Sequence, residues 1–196
     1  MKIIEPSAEL YGEINPEEIL RKLEVCGKVS RQSKLGDAEK FVRSIIKRGH
    51  ESVLEHVSLT FHIVCDRAIM AELTRHRLAS FTVESTRYIE YDELKVIAPF
   101  ELTKDNNRLF KDMIRNHERS YAFLIGCGCK PEIARAVLPL CLATELYMTA
   151  NLREWRHILK LRTDKAAHPQ MRQIAGQILE ILRDKLPVIV EDINPC

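Results

Sequence analysis

Between Arg75 and Tyr88 the chain reads Arg-His-Arg-Leu-Ala-Ser-Phe-Thr-Val-Glu-Ser-Thr-Arg-Tyr: three bases, an uncharged run, then Ser-x-Arg. The preceding residues, from Asp66 through Ile69, Met70 and Leu73, have helical apolar spacing with Asp66 as the cap. Arg75, His76 and Arg77 then fall in the last turn, where positive charge suits the helix dipole. Ser85 and Arg87 lie two apart in what reads as an extended loop, so they project to one side. A hydroxyl beside a forked guanidinium is the donor set that a phosphate or a uracil-like ring requires. The stretch therefore reads as an anion site. The plainer alternative, three cations stabilising a helix end, leaves Ser85 and Arg87 unexplained.

Other reactive side chains have simpler readings. His50 and His56 in His-Glu-Ser-Val-Leu-Glu-His are six apart, not the four that places two metal ligands on one helix face. They read as capping and pairing groups at a helix–strand junction. Six cysteines stand at 26, 65, 127, 129, 141 and 196, and only Cys127 and Cys129 are close, with no second pair to complete a zinc site. They read as small apolar residues, and no metal is expected. Gly126-Cys127-Gly128 lacks the third glycine and the preceding strand of a dinucleotide fingerprint. His62 reads as a surface strand residue and His117 as solvated or locally bonded. Arg135 alone reads as a solvated helix residue, and Arg153, Arg156 and Arg162 as a solvated helix face.

The elements that must position these groups follow from patterning. Residues 1–13 read as an edge strand or extended arm. Asn15-Pro16-Glu17-Glu18 starts a helix with Ile19, Leu20, Leu23 and Val25 on its apolar side, ending near Gly27. Asp37 caps a second, with Phe41, Val42, Ile45 and Ile46 in period and a stop at Gly49. Val57 to Cys65 alternates as a half-buried strand. Tyr88 to Ala98 reads as a second strand. Thr103 to Ile125 reads as a long amphipathic helix with Leu109, Met113, Tyr121 and Leu124 in the core. Pro131 opens a short helix and residues 144–149 alternate as a strand. Asn151 and Glu154 form a capping box for a helix through Trp155 to Arg162. Pro169 opens the last helix, ending near Pro187.

With 196 residues, one domain spanning the whole chain is expected. Charged residues make up 30% and apolar ones 45%, with a formal net charge of +2. That balance gives no global drive toward nucleic acid or membrane. No apolar run reaches membrane-spanning length and the N-terminus lacks a signal peptide's apolar core, so a cytoplasmic protein is expected.

Arg-His-Arg, seven residues, Ser, followed by x-Arg-Tyr, resembles the signature of the flavin-dependent thymidylate synthases. Gly49-His50-Glu51-Ser52-Val53-Leu54-Glu55-His56 and Ala134-Arg135-Ala136-Val137-Leu138-Pro139-Leu140 are similar to two further family segments. Similarity runs from about residue 26 to 172. The resemblance implies an α+β fold, a short, largely antiparallel sheet with packed helices, assembled as a homotetramer with active sites shared between chains. It implies reductive methylation of dUMP at C5, with methylenetetrahydrofolate as carbon donor and FAD, reduced by NADPH, as hydride donor. Carried over residue by residue, Ser52, Glu55, Arg75, His76, Arg77, Asn151, Arg153 and His157 contact the flavin, and His50 lines the folate side. Glu72, Arg75, Glu84, Ser85, Thr86, Arg87, Arg135 and Arg162 surround the nucleotide. Ser85 orients the base, and Arg162 stabilises negative charge as the N3 proton leaves. Ser30 is a further counterpart of a flavin-side serine.

The chain departs from the pattern in places. Glu72 stands where many members have Gln; since a carboxylate repels phosphate, pairing with Arg75 or His76 is expected. Val83 stands where many have Glu, with Glu84 one later, and His157 stands where many have Asn. Two rivals remain at this level: a non-enzymatic nucleotide- or RNA-binding protein, and a family relative with an altered pyrimidine substrate. The 6% aromatic content and near-neutral charge disfavour RNA.

Overall fold

A computed structural model describes residues 1–195, without the side chain of Arg31; Cys196 lies outside the described residues. In chain order the elements are β1 (Lys2–Ile3), β2 (Ser7–Leu10), α1 (Pro16–Lys28), α2 (Ala38–Lys47), β3 (Ser58–Asp66) and α3 (Arg67–Leu73). There follow β4 (Ala79–Val83), β5 (Lys95–Val96), α4 (Lys104–Gly126), α5 (Pro131–Ala134), β6 (Ala143–Asn151), α6 (Leu152–Arg162), α7 (Pro169–Lys185) and α8 (Pro187–Val190). Short 3-10 segments cover Val29–Arg31, Glu51–His56 and Arg135–Val137.

The alternation of β3 buries Leu59, Phe61, Ile63 and Cys65, and that of β6 buries Leu146, Met148 and Ala150. These strands occupy the middle of a four-stranded antiparallel sheet in the order β2-β3-β6-β4, so their buried face takes the greatest cover. α6 and α7 supply it through Leu152, Trp155, Ile158, Leu159, Ile174 and Ile178. Trp155 packs edge-on against Phe61 at 4.9 Å and donates its indole N–H to the Leu59 carbonyl at 3.0 Å. A smaller core of Leu94, Val96, Ile114 and Leu142 sits under α4.

Register decides where the chemistry lies. Ser58 pairs with Asn151, and Ala79 with Ala150, so the starts of β3 and β4 and the end of β6 share one end of the sheet. Residues just outside those positions, Glu55, Arg77 and Asn151–Arg153, therefore converge there. Val64 and Val83 flank Glu145 and Leu146 toward the opposite end. α3 carries the chain back between the two ends. Its position is fixed by buried Asp66, which caps Ile69 N at 2.7 Å and accepts from the Gln170 amide of α7 at 2.8 Å.

Five expectations are corrected. The uncharged run of the signature is not a loop but the edge strand β4, with Ala79, Phe81 and Val83 half-buried and Ser80 and Thr82 outward. The segment 88–98 keeps only Lys95–Val96 as strand, paired in parallel with Lys2–Ile3. α3 stops at Leu73, where the Thr74 hydroxyl turns back to the Ala71 carbonyl at 3.1 Å, so Arg75–Arg77 lie beyond the helix. Leu109 and Met113 of α4 are 61% and 62% exposed, while Ile114 and Tyr121 form its buried side. At 100° per residue Leu109, Met113 and Phe123 share an outward arc of roughly 80°. α4 thus has two apolar stripes, and periodicity alone did not tell which one this chain buries. Val25 is likewise exposed. No described helix is long and apolar enough to cross a membrane.

Candidate active site

The Arg-His-Arg run alternates once it leaves α3: Arg75 and Arg77 are exposed, His76 is buried. His76 receives a hydrogen bond from Arg162 Nε into its Nε2 at 3.0 Å. The same guanidinium donates from Nη1 to the Glu72 carboxylate at 3.1 Å and from Nη2 to the Glu72 carbonyl at 3.4 Å. Glu72 therefore pairs with Arg162, not with Arg75 or His76. A guanidinium has five N–H groups. Three are engaged here, which leaves one on each terminal nitrogen.

Behind this pair, His76 Nδ1 faces Glu154 Oε1 at 3.6 Å, and the His157 ring lies edge-on at 6.1 Å. Burial, then the charges of Arg162 and His157, push the His76 pKa down to about 4. Burial holds Glu154 above the ordinary carboxylate range. His76, Glu154 and His157 bring ligand-type atoms within 4.8 Å of one another. They make a poor metal site, because Arg162 occupies the His76 lone pair and its charge opposes a cation.

At the same end of the sheet, Glu55, Asn151, Arg153 and His157 line a cleft of about 520 Å³ with Leu78 and Lys160. Asn151 caps α6 by accepting from Glu154 N at 2.9 Å, and Arg153 pairs with Glu55 at 2.5 Å. Arg156, which read as part of a solvated face, is buried beneath the cleft. It binds Glu51 at 2.9 Å and Asp192 at 2.7 Å, and donates to the Ile189 carbonyl. Sequence reasoning missed it, although Leu152, Arg156 and Leu159 share the spacing of one helix face. His50, Ser52 and Ser30 open instead into a second cleft of about 490 Å³ on the other side of the 51–56 turn. Ser52 and Glu55, expected together, thus face different clefts within one chain.

The far end of β4 carries the other half of the signature. Ser85–Tyr88 is a turn rather than an extended loop: Ser85 Oγ accepts from Arg87 N at 3.3 Å and Ser85 O from Tyr88 N at 3.1 Å. Arg135 donates to the Thr86 hydroxyl at 3.4 Å, and Arg87 lies 3.5 Å from Glu132. Ser85, Thr86, Arg87 and Arg135 are therefore gathered. The Glu84 carboxylate accepts from the Tyr91 hydroxyl. The four steps of β4 alone span about 13 Å. Arg75 and Arg87 lie beyond opposite ends of that strand.

A family model described as thymidylate synthase complementing protein matches residues 11–188. A probable flavin-dependent thymidylate synthase of Mycobacterium phage D29 is 36% identical over 168 residues, 78% of this chain and 72% of that protein. The flavin-dependent thymidylate synthase of Geobacter sulfurreducens is 30% identical over 190 residues, 94% of this chain and 78% of that one. A solved structure of a UMP/dUMP methylase, PolB from Streptomyces cacaoi bound with 5-Br dUMP, matches with a TM-score of 0.83 at 25% identity. That match covers 97% of this chain and 96% of the other. With the signature, the sheet and the clefts in place, the chain belongs to the flavin-dependent thymidylate synthase family.

Proposed function

We propose that the protein converts dUMP to dTMP by reductive methylation at C5, using methylenetetrahydrofolate for the carbon and NADPH-reduced FAD for the hydride. The observation that carries this reading is Arg162. Its two remaining N–H groups can donate to the N3–carbonyl edge of a uracil, and a fixed guanidinium stabilises the negative charge left as N3 loses its proton. Ser85 orients the base, while Arg87 and Arg135, gathered on one turn, hold the phosphate. Glu84 and Thr86 brace that turn through Tyr91 and Arg135.

The residues present fit a flavin dinucleotide. No Gly-rich loop is available for the pyrophosphate, so exposed Arg75, Arg77 and Arg153 supply the charge. Asn151, Arg153, His157 and Glu55 line a cleft whose size suits a small-molecule site. When bound, FAD supplies the hydride for the final reduction. His50 and Ser52, in the second cleft, serve the folate side and the flavin respectively. Because β4 separates the two ends of the signature, the ends that meet at one nucleotide belong to different copies of the chain. A homotetramer with shared sites satisfies that geometry.

The test is the visible spectrum of the purified protein before and after dUMP. A flavin spectrum perturbed by dUMP, with folate-dependent tritium release from C5-labelled dUMP, is expected; a colourless protein that binds nucleotide would favour the non-enzymatic rival. The similarity to a UMP/dUMP methylase favours one second reading, a relative with altered pyrimidine substrate. UMP competing on equal terms with dUMP would support it.

Arg87→Ala is expected to weaken dUMP binding by about 1.5–3 kcal/mol, the worth of a charged hydrogen bond. Folding should be untouched, because the pairing of Arg87 with Glu132 is exposed. Calorimetric titration with unchanged dUMP affinity would remove Arg87 from the phosphate site.

A further inference from the structure

Four charged or titratable groups face His76: Arg162, Glu154 and His157 from α6, and Glu72 of α3 through their shared partner Arg162. The direction of one bond fixes the state of the ring. Arg162 Nε can only donate, because a guanidinium has no acceptor and does not lose its proton in proteins. His76 Nε2 must therefore present its lone pair, and the ring proton must sit on Nδ1, on the side of Glu154. Nε2 is thus engaged inside the protein, while Nδ1 lies 3.6 Å from Glu154, beyond hydrogen-bond distance.

We propose that His76 is a positioning residue: as the Nδ1–H tautomer it accepts from Arg162 Nε and, with Glu72, aims the Arg162 guanidinium at the pyrimidine. This rests on the reading of Arg162 given above. His76 and the two Glu72 oxygens take one N–H from each of the three guanidinium nitrogens, so the plane of the group has no rotational freedom left. The Glu154 carboxyl group lies on the Nδ1 side of the ring, 3.6 Å away. The low pKa of His76, about 4, agrees with this arrangement, since a second ring proton would set N–H against N–H. Arg162 should consequently stay in place through the neutral range and be released only on strong acidification.

Two measurements decide the matter. Long-range proton–nitrogen NMR of the protein as purified should show His76 in the Nδ1–H tautomer at neutral pH, with no titration near 6.5. The Nε2–H tautomer, or ordinary titration, would overturn the proposal whether or not the protein turns over dUMP. Second, His76→Leu should lower kcat by about 100-fold, the cost of misplacing a catalytic group by about an ångström, with flavin content retained. His76→Gln, whose side-chain oxygen can accept from Arg162, should recover part of that loss. Loss of flavin from both variants in parallel would show that His76 holds the cofactor directly. Full turnover in a folded His76→Leu protein would equally overturn the proposal. If the wild type shows no flavin and no turnover, the functional reading fails, while the NMR result still decides the placement of His76.

Discussion

Arg162→Lys is expected to cut turnover on dUMP by about 10²–10³-fold, the usual cost of removing a preorganised donor from developing negative charge. Flavin should remain bound, because Arg162 does not line the cleft formed by Glu55, Asn151, Arg153 and His157. The substitution keeps the charge and most of the length, so electrostatics alone predicts a mild effect. Geometry predicts otherwise. Arg162 spends three N–H groups on His76 and Glu72 and keeps two for a ligand. A lysine has three donors on one rotating nitrogen, so it cannot satisfy both internal partners and still keep two for a ligand. The arginine side chain is only 17% exposed, which makes an unpaired His76 or Glu72 harder for water to rescue. The fall should appear in kcat more than in KM, since charge on the pyrimidine develops during the reaction rather than on binding. Turnover comparable to the wild type would mean that the charge of Arg162, and not its fixed plane, is what the site uses.

Much of this site was legible because the relevant signals are local. The Asn151 cap, the alternation of β3 and β6 and the spacing of Arg-His-Arg to Ser-x-Arg can all be read within a dozen residues. Even β4 was legible: Ala79, Phe81 and Val83 alternate with Ser80 and Thr82, a period-two pattern. Three features depend on residues far apart in sequence. His76 turns inward because Arg162, 86 positions later, completes it. Glu72 meets Arg162 across 90 positions, so no spacing rule for a single helix anticipates the pair. The outward stripe of Leu109, Met113 and Phe123 has the same pattern as a buried one, and only the cluster of Leu94, Val96 and Leu142 selects the other side. That the two ends of the signature serve one nucleotide was expected only of sites shared between chains, and the five residues of β4 separate those ends within one chain.

Arg156→Ala should destabilise the fold by about 3 kcal/mol, near the low end of the range for removing one partner of a buried ion pair. Arg156 is 1% exposed and ties three separate parts of the chain together: the 51–56 turn through Glu51, the end of α8 through the Ile189 carbonyl, and the segment beyond it through Asp192. The low end applies because Glu51 and Asp192 are 23% and 43% exposed, so water can partly solvate them once the guanidinium is gone. For a domain of this size the loss corresponds to a fall of roughly 6–12 °C in Tm, readable by thermal unfolding. The pH dependence supplies an independent check. Arg156 holds the Asp192 pKa down to about 2, from an ordinary 3.8. A carboxylate whose folded pKa is depressed contributes stability that is complete above the unfolded value and disappears as pH falls through the folded one. The wild type should therefore lose this contribution between about pH 4 and pH 2, and Arg156→Ala should lack that part of the acid slope. Flavin should also dissociate more readily from the variant, because Glu51, Glu55 and Arg156 all line the same cleft and the 51–56 turn would no longer be pinned to α6. An Arg156→Ala protein with unaltered Tm and acid slope would show that packing of Trp155 and Leu159 alone seats the turn, and that the ion triad contributes nothing measurable to the site's shape.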